Sequence, residues 1–427
     1  MHDGDRTWRY MERFHCIGSD CEDNCCHDWR VVVDGDTVER LNAVATLHSK
    51  EERERWQHAL VTEDRGPKQA KLYSIRLKPD GNCPMLLPNG WCHVQATFGE
   101  KFLPDVCATY PRGLQWIVDD LELAGTTSCP EVARQLLLHA DAVDEVALDR
   151  DRLPRIKLAG GHDPRDVRPY WRLMLEVRAF MLALLKRREY TLEQRLFFMC
   201  WFAKRTQSVL NRSVMKGDVE LVRQELALLD DAKTREQIRA RFDRIEAPSS
   251  LALLFARQLV VQTKTNRRQQ FEALVSSIFA SYTGARELVE EGAKRPTITV
   301  DEFHAEYKRR KRAIVERSGA RTDQFLAHAA FNYWVHHLPM EAPDLLTYLL
   351  RMLALLAVHK FLIFSHPSLQ APLDDESFLR ALDAAAVEVV YKTSRHIEHS
   401  PLMQMLEVAL ASQELASFAG AVYLVRF

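Results

Sequence analysis

CIGSDCEDNCC, residues 16–26, places four of the chain's nine cysteines inside one short stretch close to its N-terminus. Four more follow at positions 83, 92, 107 and 129, and Cys200 stands alone beyond them. The thiols therefore divide the chain into two unlike parts. The cysteine-bearing part is punctuated by proline and glycine, as in KPDGNCPMLLPNGWC (78–92), and its β-prone pieces are short: WRVVV (29–33) and LQWIV (114–118). These features predict an irregular, Cys-rich metal-binding domain over 1–148 with little regular sheet.

The segment DRDRLPRIKLAGGHDPRD (149–166) combines charge, two prolines and a glycine pair, and reads as a linker. Beyond it helical periodicity takes over. YWRLMLEVRAFMLALLKRRE (170–189) spaces apolar residues at three and four, and Thr191 with Gln194 forms a capping box for the next helix. TVDE (299–302) repeats that signal ahead of FHAEYKRRKRAIVER. Further helical runs lie near 218–230, 249–283, 323–338, 344–364, 376–395 and 401–418. The expected fold class is mainly α: the Cys-rich domain, then a larger all-α helical domain over 167–427.

Composition narrows the function. At 427 residues, 47% hydrophobic and 27% charged, the chain can bury a sizeable core. Its 58 lysines and arginines nearly cancel 59 aspartates and glutamates, so no overall field points to nucleic acid. Recognition must be local. The opening MHDGDRTWRYMERF lacks the apolar run of a secretory signal, and the expected location is cytoplasmic. The most apolar stretch, Leu345 to Phe364, contains Thr347, Tyr348, Arg351, His359 and Lys360; it reads as a buried helix, not a transmembrane segment.

In a reducing compartment, clustered thiols usually hold metal. Zinc and iron–sulfur centres each take about four protein ligands, so eight cysteines exceed one site. The spacings CxxxxC, CxxxC and an adjacent pair, followed by wide gaps, are not those of a zinc ribbon. Neighbouring Cys25 and Cys26 are expected to point apart, one ligating and the other packing or serving a second centre. Iron–sulfur, structural zinc, and redox-active or simply buried thiols all remain open on this evidence of spacing. His27 and His93, each beside a cysteine, are reserve ligands.

The stretches FHCIGSDCEDNCCHDWRVVVDGDTVERL (14–41), CPMLLPNGWCHVQATFGEKFLPDVCATYPR (83–112) and SCPEVARQLL (128–137) resemble the flagellin lysine-N-methylase family, and the cysteine order resembles the wider CxxCxxCC group of zinc- or iron-chelating proteins. The cysteines match together with Trp29, Tyr110, Pro111, Arg112, Pro130 and Glu131. The likeness is close over about the first 140 residues; the helical part matches in character, with a fainter local likeness at FLAHAAFNYWVHHLP (325–339). The resemblance implies S-adenosylmethionine-dependent methylation of the ε-amino group of surface lysines of flagellin, in the cytosol, by a protein carrying a 4Fe-4S cluster. It further implies that Cys16, Cys21, Cys25 and Cys26 form half of a cluster cradle completed by Cys83, Cys92, Cys107 and Cys129. The alternative is zinc in place of the cluster, in a non-catalytic scaffold that binds another protein.

No donor-binding fold accompanies these thiols. A doubly wound methyltransferase would carry a Gly-rich turn between strand and helix, and LAGGHDP (158–164) has neither flank. Cys21 and Cys25 have the first spacing of a radical S-adenosylmethionine motif, but Cys26 follows at once and alternating βα units are lacking. Methyl transfer to lysine needs a neutral, oriented amine. Tyr110 is the candidate catalytic hydroxyl, Arg112 a candidate partner for the donor's carboxylate, and Trp29 a candidate stacking surface for adenine or sulfonium. Each has a plainer reading as packing, an internal ion pair and a cover for the metal. Asn332 and Tyr333 read as core. KRRKR (308–312) reads as a solvated helix face whose alternative use is docking an acidic protein or the membrane periphery.

Overall fold

The computed structural model describes residues 4–27, 29–47, 49–63, 72–153, 155–161, 169–210, 216–246, 250, 253, 269–282, 299–398 and 402–427. The chain is mainly α and divides into two compact units. One comprises Met1–Val132, Glu145–His162 and Asn266–Arg268; the other comprises Ala133–Asp144, Asp163–Thr265 and Gln269–Phe427.

The first unit carries strands β1 (Arg6–Trp8), β2 (Val32–Val33), β3 (Leu60–Glu63), β4 (Leu72–Ile75), β5 (Arg112–Ile117), β6 (Asp120–Gly125), β7 (Glu145–Ala147) and β8 (Gly160–Gly161). They make a five-stranded sheet in the order β7-β1-β6-β5-β8 and a three-stranded sheet in the order β2-β4-β3. WRVVV and LQWIV supply parts of β2 and β5, as their β-branched and aromatic residues predict. Strand β6 is central and buried from Leu121 to Gly125, which places Glu122 in the interior. Its carboxylate is paired across the parallel β1 register with Arg6 at 3.0 Å and accepts from Gln115 at 3.2 Å, the pairing a buried charge requires.

Where it is described, the 149–166 segment is fastened to this unit. Arg150 pairs with Asp5, Arg155 Nε donates to Asp105 at 2.6 Å, and Gly160–Gly161 adds a short parallel edge against Gln115 and Trp116. Pro154 and residues 162–166 of that segment lie outside the described residues.

The three-stranded sheet shares a core with the thiols. Val31, Val33, Leu41, Trp56, Ile75, Met85 and Val94 are buried with Cys83, and Cys26, Trp29, Cys92 and Cys107 pack against them. This core is small, and four of its members are sulfur ligand candidates.

The second unit follows the helical pattern closely. Helices Pro169–Leu185 and Leu192–Thr206 come first, and the Thr191–Gln194 box is formed in both directions. Thr299 and Glu302 cap Val300–Ser318 in the same way. Of the run expected near 249–283, Gln269–Ala280 is helical, while 251–252 and 254–268 lie outside the described residues. Leu345–Phe364 is the core helix of the unit, packed by Leu192–Thr206, Val300–Ser318, Ala320–His336, Asp375–Thr393 and Phe418–Arg426. It is long and apolar enough to cross a membrane, and 89% of it is buried in this unit. Burial holds two of its basic residues toward neutrality: His359 is pushed down to about 4 and Lys360 to about 7. Lys360 Nζ donates to the Val425 carbonyl at 2.8 Å.

KRRKR is less uniform than a solvated face. Arg310 is buried, donating to Ser281 and to Glu306, and Lys311 reaches Glu193 at 3.1 Å. Asn332 and Tyr333 are buried on Ala320–His336, the latter against Tyr348, in keeping with a core role.

Candidate thiol-rich site

Backbone pairing between distant loops brings the thiols together. The Cys83 amide donates to the Cys26 carbonyl at 2.7 Å beside a bridge between His27 and Asn82. Residues 83–92 then turn back on themselves, with Leu86 bridged to Cys92 and the turn closed at Gly90, whose φ of 82° suits glycine. Gly18 docks the first loop onto this turn. It adopts φ 57°, and a Cβ there would lie 2.4 Å from the Trp91 indole. The 16–26 loop and the 83–92 loop are thus fitted to one another at a position where only hydrogen fits.

Cys26 is the hub. Its side chain is in hydrogen-bond contact with Cys25, Cys83 and Cys92, and these contacts, the one with Cys25 first, hold its thiol far above the ordinary range. The expectation that Cys25 and Cys26 point apart is therefore corrected: the adjacent side chains touch. Hydrogen bonding from Cys26 lowers Cys83 and brings Cys92 down to about 6. Cys107, in the helix Asp105–Thr109, is buried beside this group and interacts with the charges of Cys92, Cys25 and Cys83; burial pushes its thiol up. Cys129 is pushed to about 12 by burial and interacts with Cys21 and Cys25. Cys16 is exposed and is not among the thiols linked in this way, and Cys200 is buried in the other unit.

Three of these sulfurs are met by backbone N–H groups: Cys83 by Met85, Cys92 by Val94 and Gln95, and Cys129 by Glu131 and Val132. Amide dipoles aimed at sulfur favour thiolate, the form that ligates metal. Among the described residues no group of three or more His, Cys, Asp or Glu side chains is arranged so that it could hold a metal ion. What is present is a set of soft donors in which Cys26 is linked to Cys25, Cys83 and Cys92, and of these Cys83 and Cys92 are met by backbone donors. It fits in kind a thiolate-bound zinc or iron–sulfur centre. The two histidines are engaged elsewhere, His27 with the Asp80 carbonyl at 3.1 Å and His93 with Thr97 at 3.3 Å.

The other candidate residues surround the thiols. Trp29 donates its indole N–H to the Cys25 carbonyl at 2.5 Å, and its ring lies 6.0 Å from that of Tyr110. Tyr110 shares a hydrogen bond of 3.2 Å with Ser128, and Ser128 another of 3.0 Å with Thr126, so a line of hydroxyls runs inward from the phenol. Arg112 opens β5 and lies over the Phe14 ring at 5.4 Å. Its aromatic contact is the one role the described geometry supplies. The hydroxyls of Ser128 and Thr126 were not legible as site residues, because the resemblance carried by SCPEVARQLL rests on Cys129, Pro130 and Glu131 and says nothing of the hydroxyls beside them.

A family model described as the FliB lysine N-methylase C-terminal domain matches residues 178–424, more than half of the chain. A lysine-N-methylase of Salmonella typhimurium is 31% identical over 139 residues, 31% of this chain and 32% of that protein. One from Salmonella choleraesuis is 30% identical over 141 residues, again 31% and 32%. The flagellar biosynthetic protein FliU of Salmonella muenchen is 29% identical over 145 residues, 31% of this chain and 77% of that protein. The match thus spans about a third of the length of the two lysine-N-methylases. No solved structure matches the chain. By the extent of the domain match, the chain belongs to the FliB lysine N-methylase family.

Proposed function

We propose that the chain is a cytoplasmic protein-lysine methyltransferase that moves a methyl group from S-adenosylmethionine to lysine ε-amino groups of a flagellar protein, flagellin being the expected substrate. Family membership and the names of the relatives support the reaction class, and the name of the third relative supports a flagellar context. The observation within the molecule that carries the reading is the convergence of Cys25, Cys83 and Cys92 on Cys26, with Trp29 hydrogen-bonded to Cys25 and Tyr110 beside it.

Cys25, Cys26, Cys83 and Cys92 are the residues that would hold a 4Fe-4S cluster. When bound there, such a cluster supplies a Lewis-acidic, redox-capable iron centre and cross-links the loops that carry its ligands. The remaining work falls to the protein. A lysine amine is protonated at neutral pH and attacks only once neutral, which desolvation against the Trp29 and Tyr110 rings favours. On this reading the Tyr110 hydroxyl accepts a hydrogen bond from that amine, a role supported by the Ser128–Thr126 pair that holds the phenol in orientation.

Co-expression with flagellin followed by intact-mass analysis tests donor class, substrate and reaction together. Flagellin heavier by whole methyl groups, and unchanged when Tyr110→Phe replaces the wild type, is the expected result. Unmodified flagellin beside colourless protein with stoichiometric zinc would instead favour a zinc-held binding scaffold.

A further inference from the structure

The backbone sets one pair of thiols apart from the others. His27 and Asn82 form an antiparallel bridge, and in the same register Cys26 stands opposite Cys83, whose amide donates to the Cys26 carbonyl at 2.7 Å. Residues opposite one another at a hydrogen-bonded antiparallel position have Cα atoms about 5.5 Å apart and side chains on one face. A disulfide spans Cα separations of about 4.4–6.8 Å, so this position suits one. The two side chains are already in hydrogen-bond contact.

Cys26 touches two further sulfurs, and the backbone favours neither. Cys25 is its chain neighbour, and consecutive Cα atoms lie about 3.8 Å apart, short of the disulfide range. Cys92 is bridged through its backbone to Leu86, inside its own loop.

We propose that Cys26 and Cys83 form a reversible disulfide that keeps metal out of the thiol site, so that the site loads only in the reduced protein. The assignment rests on the reading of these thiols as metal ligands. Metal takes thiolates, and one S–S bond removes two of them. The oxidant is a low-molecular-weight disulfide. One of the two protein sulfurs displaces a small thiolate from it to give a mixed disulfide, and the other protein sulfur then displaces the second small thiolate. One S–S bond breaks and one forms, the two protein thiols are oxidised, and their protons leave on two small thiols. Because the bond joins the two loops in their existing register, it holds them together while the site is empty.

The test uses the full chain, stripped of metal and equilibrated without oxygen in mixtures of reduced and oxidised glutathione. Intact mass is expected to show the loss of two hydrogen atoms, and peptide mapping without reductant to join the 16–26 loop to the 83–92 loop. The bond should persist in Cys25→Ser and in Cys92→Ser and be lost in Cys26→Ser and Cys83→Ser. Zinc ion is the metal probe, measured by competition with a chromophoric chelator. Oxidised wild type should lose zinc uptake, and dithiothreitol should restore it. A bond that disappears in Cys92→Ser or Cys25→Ser, or glutathione left attached in place of a bond, overturns the pairing. Full zinc uptake by protein that carries the bond overturns the exclusion of metal. Reduced wild type that takes up no zinc or iron sinks the metal reading instead, and the pairing is then judged from mass and peptide map alone.

Discussion

His359 should be worth more to the fold when it is gone. It sits within the core helix Leu345–Phe364 at 5% exposure, and neither ring nitrogen has a hydrogen-bond partner. A neutral imidazole always carries one N–H, so at least one donor is stranded, at a cost of about 1–3 kcal/mol. Burial alone pushes the ring from 6.5 to about 4. Between those values the unfolded chain binds a proton that the folded chain refuses. Stability therefore falls as the pH drops through this window, and the loss is complete below about pH 4. The gap is worth about 3 kcal/mol. Replacing His359 with Leu, of similar bulk, should raise stability by about 1–3 kcal/mol at pH 7.5 and remove about 2 kcal/mol of the stability loss between pH 7.5 and pH 5. His328, also pushed to about 4 mainly by burial, titrates in the same window, so some acid sensitivity will remain. Urea unfolding followed by far-UV circular dichroism at pH 7.5 and pH 5 measures both effects. A His359→Leu variant less stable than wild type at pH 7.5, with an unchanged acid limb, would show that the ring has a partner and that the reasoning is wrong.

Lys360 acts with the same sign in a higher pH window: with its folded value at about 7 and its ordinary value at 10.5, stability should rise with pH between them, by up to about 1.4 kcal/mol per pH unit, and Lys360→Met should remove that rise in urea unfolding at pH 7 and pH 10. Single Ser replacements of Cys26 and Cys92 should each abolish metal retention, measured by elemental analysis of anaerobically purified protein, whereas Cys200→Ala should retain it, because Cys200 is an isolated buried thiol in the other unit. Gly18→Ala should cost about 1–2 kcal/mol for the left-handed backbone alone and displace the Trp91 ring, seen as a shift in Trp91 fluorescence against a Trp91→Phe control; unchanged metal content and an unchanged spectrum would mean that the two loops are not docked there.

The helical unit was legible because its signals are local. Capping boxes at Thr191 and Thr299, and apolar spacing along 170–189 and 345–364, depend on residues within a few turns of each other, and they appear where the spacing places them. The family match over 178–424 adds something the residues alone barely indicated, since FLAHAAFNYWVHHLP was the one local likeness visible there. The Cys-rich part was legible in its ligand types and not in its arrangement. Nothing in the spacing of Cys83 or Cys92 announces that both turn toward Cys26; that follows from the amide of Cys83 pairing with the Cys26 carbonyl and from the turn at Gly90.

Why, then, does the thiol cluster stand on so small a core? The three-stranded sheet contributes strands of two to four residues, too short to be independently stable. Cys26, Cys83, Cys92 and Cys107 belong to the same hydrophobic core as Val31, Val33 and Ile75, so a metal bound by those thiols would tie the sheet's own packing layer together, and its binding free energy would be folding free energy for the sheet as well. The same arrangement accounts for the position of the aromatic residues. Trp29 leaves β2's approach strand already hydrogen-bonded to Cys25, and Tyr110 leaves the short helix of Cys107 already hydrogen-bonded to Ser128. Each candidate for handling the substrate is thus fixed one or a few residues from a thiol, and the loops that bring the sulfurs together bring Trp29 and Tyr110 to within 6.0 Å of each other. The thiol site and the aromatic pair are held by the same loops in this fold.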